Sequence, residues 1–154
     1  VLGGTAIARG IGEVLTPLPA PADCHVIIAK PPVSVSTAYV YGHIKPLEIT
    51  KRPDIEAMAQ SIKDGDLKKM ASLIYNVMED VTVVEYPIIS EIKQVMLDNG
   101  ALNSIMSGSG PTVFGIFDNR EKMEAAAEVL RESRLAKTVF ATEVTKAGGN
   151  TNDK

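Results

Sequence analysis

Apolar residues recur at steps of three and four through Leu67, Met70, Ile74, Val77, Met78 and Val81. That spacing lines one face of an α-helix and predicts a single amphipathic helix directed at a core. Asn76 and Glu79 fall in the same stretch and read as part of its solvated polar face. Upstream, Lys51-Arg52-Pro53-Asp54 is a surface loop leading into a helix through Lys63, and Asp64-Gly65-Asp66 both stops that helix and caps the next. Downstream, Pro87 suits a first helical turn, Ile88, Ile92, Val95 and Met96 carry the period, and Gly100 ends it. A last helix from Arg120 to Arg131 has Met123, Ala126, Ala127 and Leu130 on its apolar face and Asp118 or Asn119 as its cap.

The remaining apolar runs are short and rich in β-branched or aromatic residues. Cys24–Ala29 reads as a buried strand, Thr112–Phe117 as another, and Lys137–Val144 as the last. Near the start, Thr5–Arg9 and Glu13–Leu18 read as a hairpin joined across Gly10-Ile11-Gly12. An isolated hairpin is marginal in water, so this one is expected to pair with a sheet for which few strands remain here. Pro17, Pro19 and Pro21 make a stiff connector after it. Ser36 or Thr37 caps a short helix through Tyr39 and Tyr41, which an ordinary capped helix with core tyrosines also explains. Gly42 to Thr50 has no clear period and places His43 in a loop, while residues 146–154 read as a flexible tail. From Cys24 onward the order is strand, several helices, two strands, helix, strand. That order predicts an α+β fold: a ferredoxin-like four-stranded antiparallel sheet with helices packed on one face.

Composition narrows the function. With 154 residues, 45% apolar and 23% charged, the chain is globular and buries one sizeable core, or a core plus part of a neighbour. A net charge of −3 provides no basic field for nucleic acid or an anionic membrane, so neither is expected as a partner. No apolar run approaches the roughly 18 residues of a membrane span, and no signal peptide opens the chain. The one cysteine, Cys24, has no internal disulfide partner and suits a reducing compartment such as the cytoplasm. Cys24 and His25 are neighbours on a strand and point to opposite faces, and the only other histidine is His43, so no metal site is expected.

The chemistry concentrates in Ser104-Ile-Met-Ser107-Gly108-Ser109-Gly110-Pro111, which runs into the strand Thr112-Val-Phe-Gly-Ile-Phe117. Two glycines and two serines between apolar flanks let the backbone reach φ > 0 and let its N–H groups converge on an anion. A glycine-containing hairpin turn explains a lone Gly-x-Gly equally well.

This stretch is longer than a lone motif, and from Ser104 to Phe117 it resembles the third, carboxyl-terminal glycine-rich motif of the GHMP kinases, a superfamily of small-molecule ATP kinases. Met106 before Ser-Gly-Ser-Gly-Pro-Thr-Val-Phe-Gly-Ile-Phe points, within it, to the branch that phosphorylates a hydroxyl of diphosphocytidyl-methylerythritol in non-mevalonate isoprenoid biosynthesis. The resemblance implies ATP as donor with Mg²⁺, and a cytidine diphosphate small molecule as acceptor. It also implies that Ser107, Gly108, Ser109 and Gly110 close on the phosphates. The pattern Pro31-x-x-x-x-Ser36-Thr37-x-x-x-Tyr41 resembles the same family's substrate loop, in which Tyr41 stacks on cytosine and Thr37 lies close by. Ile11 matches a position lining the cytidine site.

The family's phosphate-cradling glycine-serine segment and its catalytic Lys and Asp belong upstream of Val1, so no catalytic residue is expected in this chain. Residues 1–20 then correspond to the last hairpin of an absent amino-terminal domain, and 21–145 to the carboxyl-terminal domain. The opening Val1-Leu-Gly-Gly-Thr5, without an initiator Met, reads as cut from something longer. By itself such a piece is expected to be inactive. A ferredoxin-like module that binds a small ligand or dimerises through its sheet is the alternative that element order leaves open.

Overall fold

The structure is a computed structural model that describes residues 4–44 and 49–144. Strands β1 (Thr5–Arg9) and β2 (Val14–Leu18) form a two-stranded antiparallel hairpin. Strand β3 (His25–Lys30) follows, then helices α1 (Thr37–His43), α2 (Ile55–Lys63), α3 (Leu67–Leu73), α4 (Val77–Glu85) and α5 (Ile88–Asp98). Strands β4 (Asn103–Met106) and β5 (Val113–Phe117), helix α6 (Arg120–Ser133) and strand β6 (Thr138–Glu143) complete the order. β4, β5, β3 and β6 lie side by side in that order, every neighbouring pair antiparallel. This is the expected α+β arrangement with its ferredoxin-like sheet.

Strand alternation sorts the sheet's side chains into two sets. Ile27 and Ala29 of β3, with Val113 and Phe117 of β5, join Ile89, Ile92 and Met96 of α5 and Met123, Ala126, Ala127 and Leu130 of α6 in one buried cluster. Burying a side chain such as Phe117 or Ile92 completely is worth roughly 1.5–3 kcal/mol, so this face supplies most of the cohesion. The other set, Val26, Phe114 and Ile116, meets Met58 and Ile62 of α2 with Leu67 and Met70 of α3 in a smaller cluster around Cys24. Helices therefore reach both faces, the second only partly, and Ile28 and Phe140 stay exposed there.

The single helix expected over Leu67–Val81 is two. α3 ends at Ile74, whose backbone is extended, and α4 restarts behind Asn76, which is also extended (φ −130°, ψ 109°) and caps the new helix by accepting the Met78 N–H at 3.0 Å. The apolar period runs on across the break, yet the two helices serve different clusters: Leu67, Met70 and Ile74 join the one around Cys24, and Met78 packs against the one around Phe117. His43 also departs from expectation. It sits in the last turn of α1, with Nδ1 2.8 Å from the Tyr39 carbonyl and its ring stacked on Tyr39 at 3.9 Å. Asp66 caps α3 as expected, Asn119 rather than Asp118 caps α6, and Asp54, read as the end of a loop, caps α2 through its side chain. The hairpin finds no third strand among the described residues and leans on α2, where Arg9 donates to Glu56 at 2.6 Å. The tail at 146–154 lies outside the described residues.

Candidate functional site

Between β4 and β5 the chain makes a tight excursion. The Ser107 N–H donates to the Thr112 carbonyl (2.8 Å) and the Gly110 N–H to the Ser107 carbonyl (3.0 Å), which closes the base of the turn. Gly108 (φ 57°) and Gly110 (φ 90°) are both in the left-handed region, as the glycine spacing predicts. Among the described residues no hydrogen bond takes up the N–H of Gly108 or of Ser109. Successive unpaired N–H groups, the first on a left-handed glycine, form a concavity suited to an anion.

Three side chains of α4 and its cap hold this turn. The Asn76 side-chain amide is fully used: its oxygen caps α4, and its Nδ2 donates to the carbonyls of both Met106 and Gly108 at 2.8 Å. Glu79 accepts the Met106 N–H at 2.6 Å and is ion-paired with Lys93. Thr82 is fully buried, donates to the Met78 carbonyl at 2.9 Å and lies 3.4 Å from the Ser109 carbonyl. Reading Asn76 and Glu79 as a solvated face is thus corrected: both are half-buried and turned inward onto the glycine turn. A signal was present, because Asn76-x-x-Glu79 is a capping-box pattern. What the pattern does not reveal is that the glutamate is diverted from its own helix to β4.

The serine-threonine loop arrives from the other side. Ser36 caps α1 through the Tyr39 N–H, and the hydroxyl of Thr37 lies 2.9 Å from that of Ser109. Thr37 and the glycine turn, 72 residues apart in sequence, are therefore in direct contact. Tyr41, one turn beyond Thr37 on α1, is 60% exposed, and Ile11 stands fully exposed at the tip of the hairpin with its N–H donated to Glu13 at 2.6 Å. Neither is part of a core, and among the described residues neither is hydrogen-bonded to the turn. Beside α1, a hollow of about 330 Å³ lies between His43, Lys51, Tyr75 and Asp80. The Lys51 ammonium rests 4.3 Å from the centre of the Tyr75 ring, and the bond Tyr75 makes to Asp80 holds its phenol above the usual range.

The family profile described as GHMP kinases C terminal matches residues 56–134, just over half the chain, and takes in α2 to α6 with the whole glycine turn. The chain belongs to the GHMP kinases. Among curated GHMP relatives, the 4-diphosphocytidyl-2-C-methyl-D-erythritol kinase of Lachnoclostridium phytofermentans is 49% identical over 92% of this chain and 49% of its own length. The protein of that name from Lachnospira eligens is 47% identical over 93% of this chain and 50% of its own. The chain thus spans about half the length of the curated relatives it matches. A crystal structure of 4-(cytidine 5'-diphospho)-2C-methyl-D-erythritol kinase superposes with a TM-score of 0.73 at 27% identity, over 93% of this chain and 50% of that one. Homoserine kinase from Cytophaga hutchinsonii superposes at 0.71 with 20% identity over 94% and 48%, and shows the shared fold alone. None of these similarities favours the regulatory-module alternative.

Proposed function

We propose that this chain is the carboxyl-terminal part of an ATP-dependent kinase that phosphorylates a hydroxyl of 4-diphosphocytidyl-2-C-methyl-D-erythritol in the cytoplasm. The identity of nearly half its residues with kinases of that name, sustained over more than nine-tenths of its length, supports the substrate. The observation that carries the site is the Thr37–Ser109 contact at 2.9 Å, which joins the candidate base-binding helix to the candidate phosphate turn. In this reading Tyr41 stacks on the cytosine, Thr37 and Ile11 flank it, and the turn from Ser107 to Gly110 closes on the phosphates through its unpaired N–H groups. Residues 1–20 belong to the amino-terminal domain, 21–145 form the carboxyl-terminal domain, and 146–154 are a tail.

Phosphoryl transfer asks the protein for in-line positioning and charge neutralisation more than for covalent chemistry. Backbone N–H groups preset on a rigid turn suit that demand, because they neutralise developing charge without reorganising. Mg²⁺ supplies neutralisation of the phosphate oxygens when bound. Among the described residues no three His, Cys, Asp or Glu side chains gather to hold a metal, so we assign this chain no ligand to it.

The test is a titration of the chain with cytidine diphosphate and, separately, ATP, followed by backbone amide shifts. Cytidine diphosphate is expected to move Thr37 to Tyr41, and ATP to move Ser107 to Gly110. Shifts confined to the tail with either ligand would overturn the assignment of both loops.

A further inference from the structure

The two edges of the four-stranded sheet are finished differently. At β4 the outward N–H groups are taken by side chains: that of Ser104 by Asn103 Oδ1 at 2.8 Å and that of Met106 by Glu79 at 2.6 Å. Asn103 also ties that edge to α3 through the Ala71 carbonyl at 2.7 Å. Among the described residues nothing comparable closes the edge at β6, and no strand lies beyond it. Thr138-Val-Phe-Ala-Thr-Glu143 contains no proline, glycine or lysine, the residues by which proteins usually blunt an open edge. Phe140 is 61% exposed and borders an apolar hollow lined by Ile28, Thr112 and Thr138.

We infer that this edge pairs with β6 of a second copy of the chain, antiparallel about a two-fold axis at Phe140. The sequence is self-complementary in that register: Phe140 faces Phe140, Thr138 faces Thr142, Val139 faces Ala141, and at both ends Lys137 faces Glu143, which also pairs with Arg120 of its own chain. A two-fold interface requires such matching, since each residue's partner must accept it in return. The hydrogen-bond phase agrees as well. The Val144 N–H donates inward to the Cys24 carbonyl at 3.2 Å, and alternation then turns Thr142 and Phe140 inward and Val139 and Ala141 outward; the alternation ends at Lys137, whose N–H also turns inward, to the Lys30 carbonyl at 2.8 Å. Val139 and Ala141 become the hydrogen-bonded pair across the axis, and the Phe140 rings meet at the closer, non-bonded position. One strand pair buries little area, so the dimer is a weak, concentration-dependent one.

Sedimentation velocity of the chain across a concentration series is the test. The dimer fraction is expected to rise with concentration and to fall at least tenfold in association constant with Ala141→Pro, which removes an outward donor and leaves the pairing with β3 intact. Lys137→Glu and Glu143→Lys are each expected to be monomeric, because both ends then carry like charges. Mixed together they should dimerise again, a result that misfolding of either variant does not produce. A wild-type chain that stays monomeric throughout, or a dimer untouched by all three substitutions, overturns the inference.

Discussion

Gly108 and Gly110 share a backbone conformation but not a neighbourhood. A Cβ on Gly108 meets nothing within 4 Å, whereas one on Gly110 falls 2.6 Å from Met106 Sδ and 3.4 Å from Thr82 Cγ2. Gly108→Ala therefore carries only the left-handed penalty of about 1–2 kcal/mol. Gly110→Ala adds overpacking of roughly 1–3 kcal/mol against a buried methionine. Denaturant unfolding of the two variants is expected to rank Gly110→Ala as clearly the less stable, and equal midpoints would contradict the crowding. In the reconstituted kinase, Gly108→Ala is the cleaner probe of the turn: phosphoryl transfer should fall on the order of a hundredfold if its Cβ displaces the phosphates by about 1 Å. For Tyr41, exposed and free to stack, Tyr41→Ala should weaken cytidine diphosphate binding by about 1–3 kcal/mol and Tyr41→Phe far less, as read by calorimetry. Cys24 is buried, and desolvation, with Asp23 beside it, pushes its thiol above the usual range. Alkylation near neutral pH should accordingly be much slower in the folded chain than in urea, with peptide mass spectrometry as the readout.

Among the elements, the break between α3 and α4 matters most, because it puts Asn76 where one amide can cap a helix and grip two carbonyls of the turn. Asn76→Ala leaves an α4 N–H and the carbonyls of Met106 and Gly108 without their partner, at a cost of about 1–3 kcal/mol for the buried groups. Asn76→Asp separates the two roles: it keeps the cap acceptor but turns a carboxylate toward carbonyl oxygens. Hydrogen exchange at Ser107 and Gly110, the two bonded amides of the turn, is expected to quicken in both variants, while the α4 amides quicken only in Asn76→Ala. Unchanged exchange in the turn would mean that the β4–β5 connection holds itself. Periodicity could not separate one helix from two here, because the apolar steps run on across the break although Met70 and Met78 enter different clusters. The Asn-x-x-Glu pattern marks the restart, but only the packed β4 end shows where Glu79 goes.

Over the whole molecule, half the length of its relatives and a described site with backbone donors but no convergent base predict that the chain alone transfers no phosphate. ATP-dependent turnover measured with the purified chain should be absent, and adding the other half in trans should restore some; robust turnover without it would refute the reading. The sequence by itself determined the strand order, the helices apart from the break before Asn76, the cap at Asp66, the left-handed glycines and the family, because each of these is carried by neighbours within a few positions or by a contiguous motif. The tertiary structure alone decided the contact of Thr37 with Ser109, the clamp of Asn76 and Glu79 on the turn, and the contrast between a closed β4 edge and a β6 edge open among the described residues. Each of these joins groups brought together by the sheet and its packed helices. No local period encodes a meeting across 27 to 72 residues, since its geometry is set by the core between them.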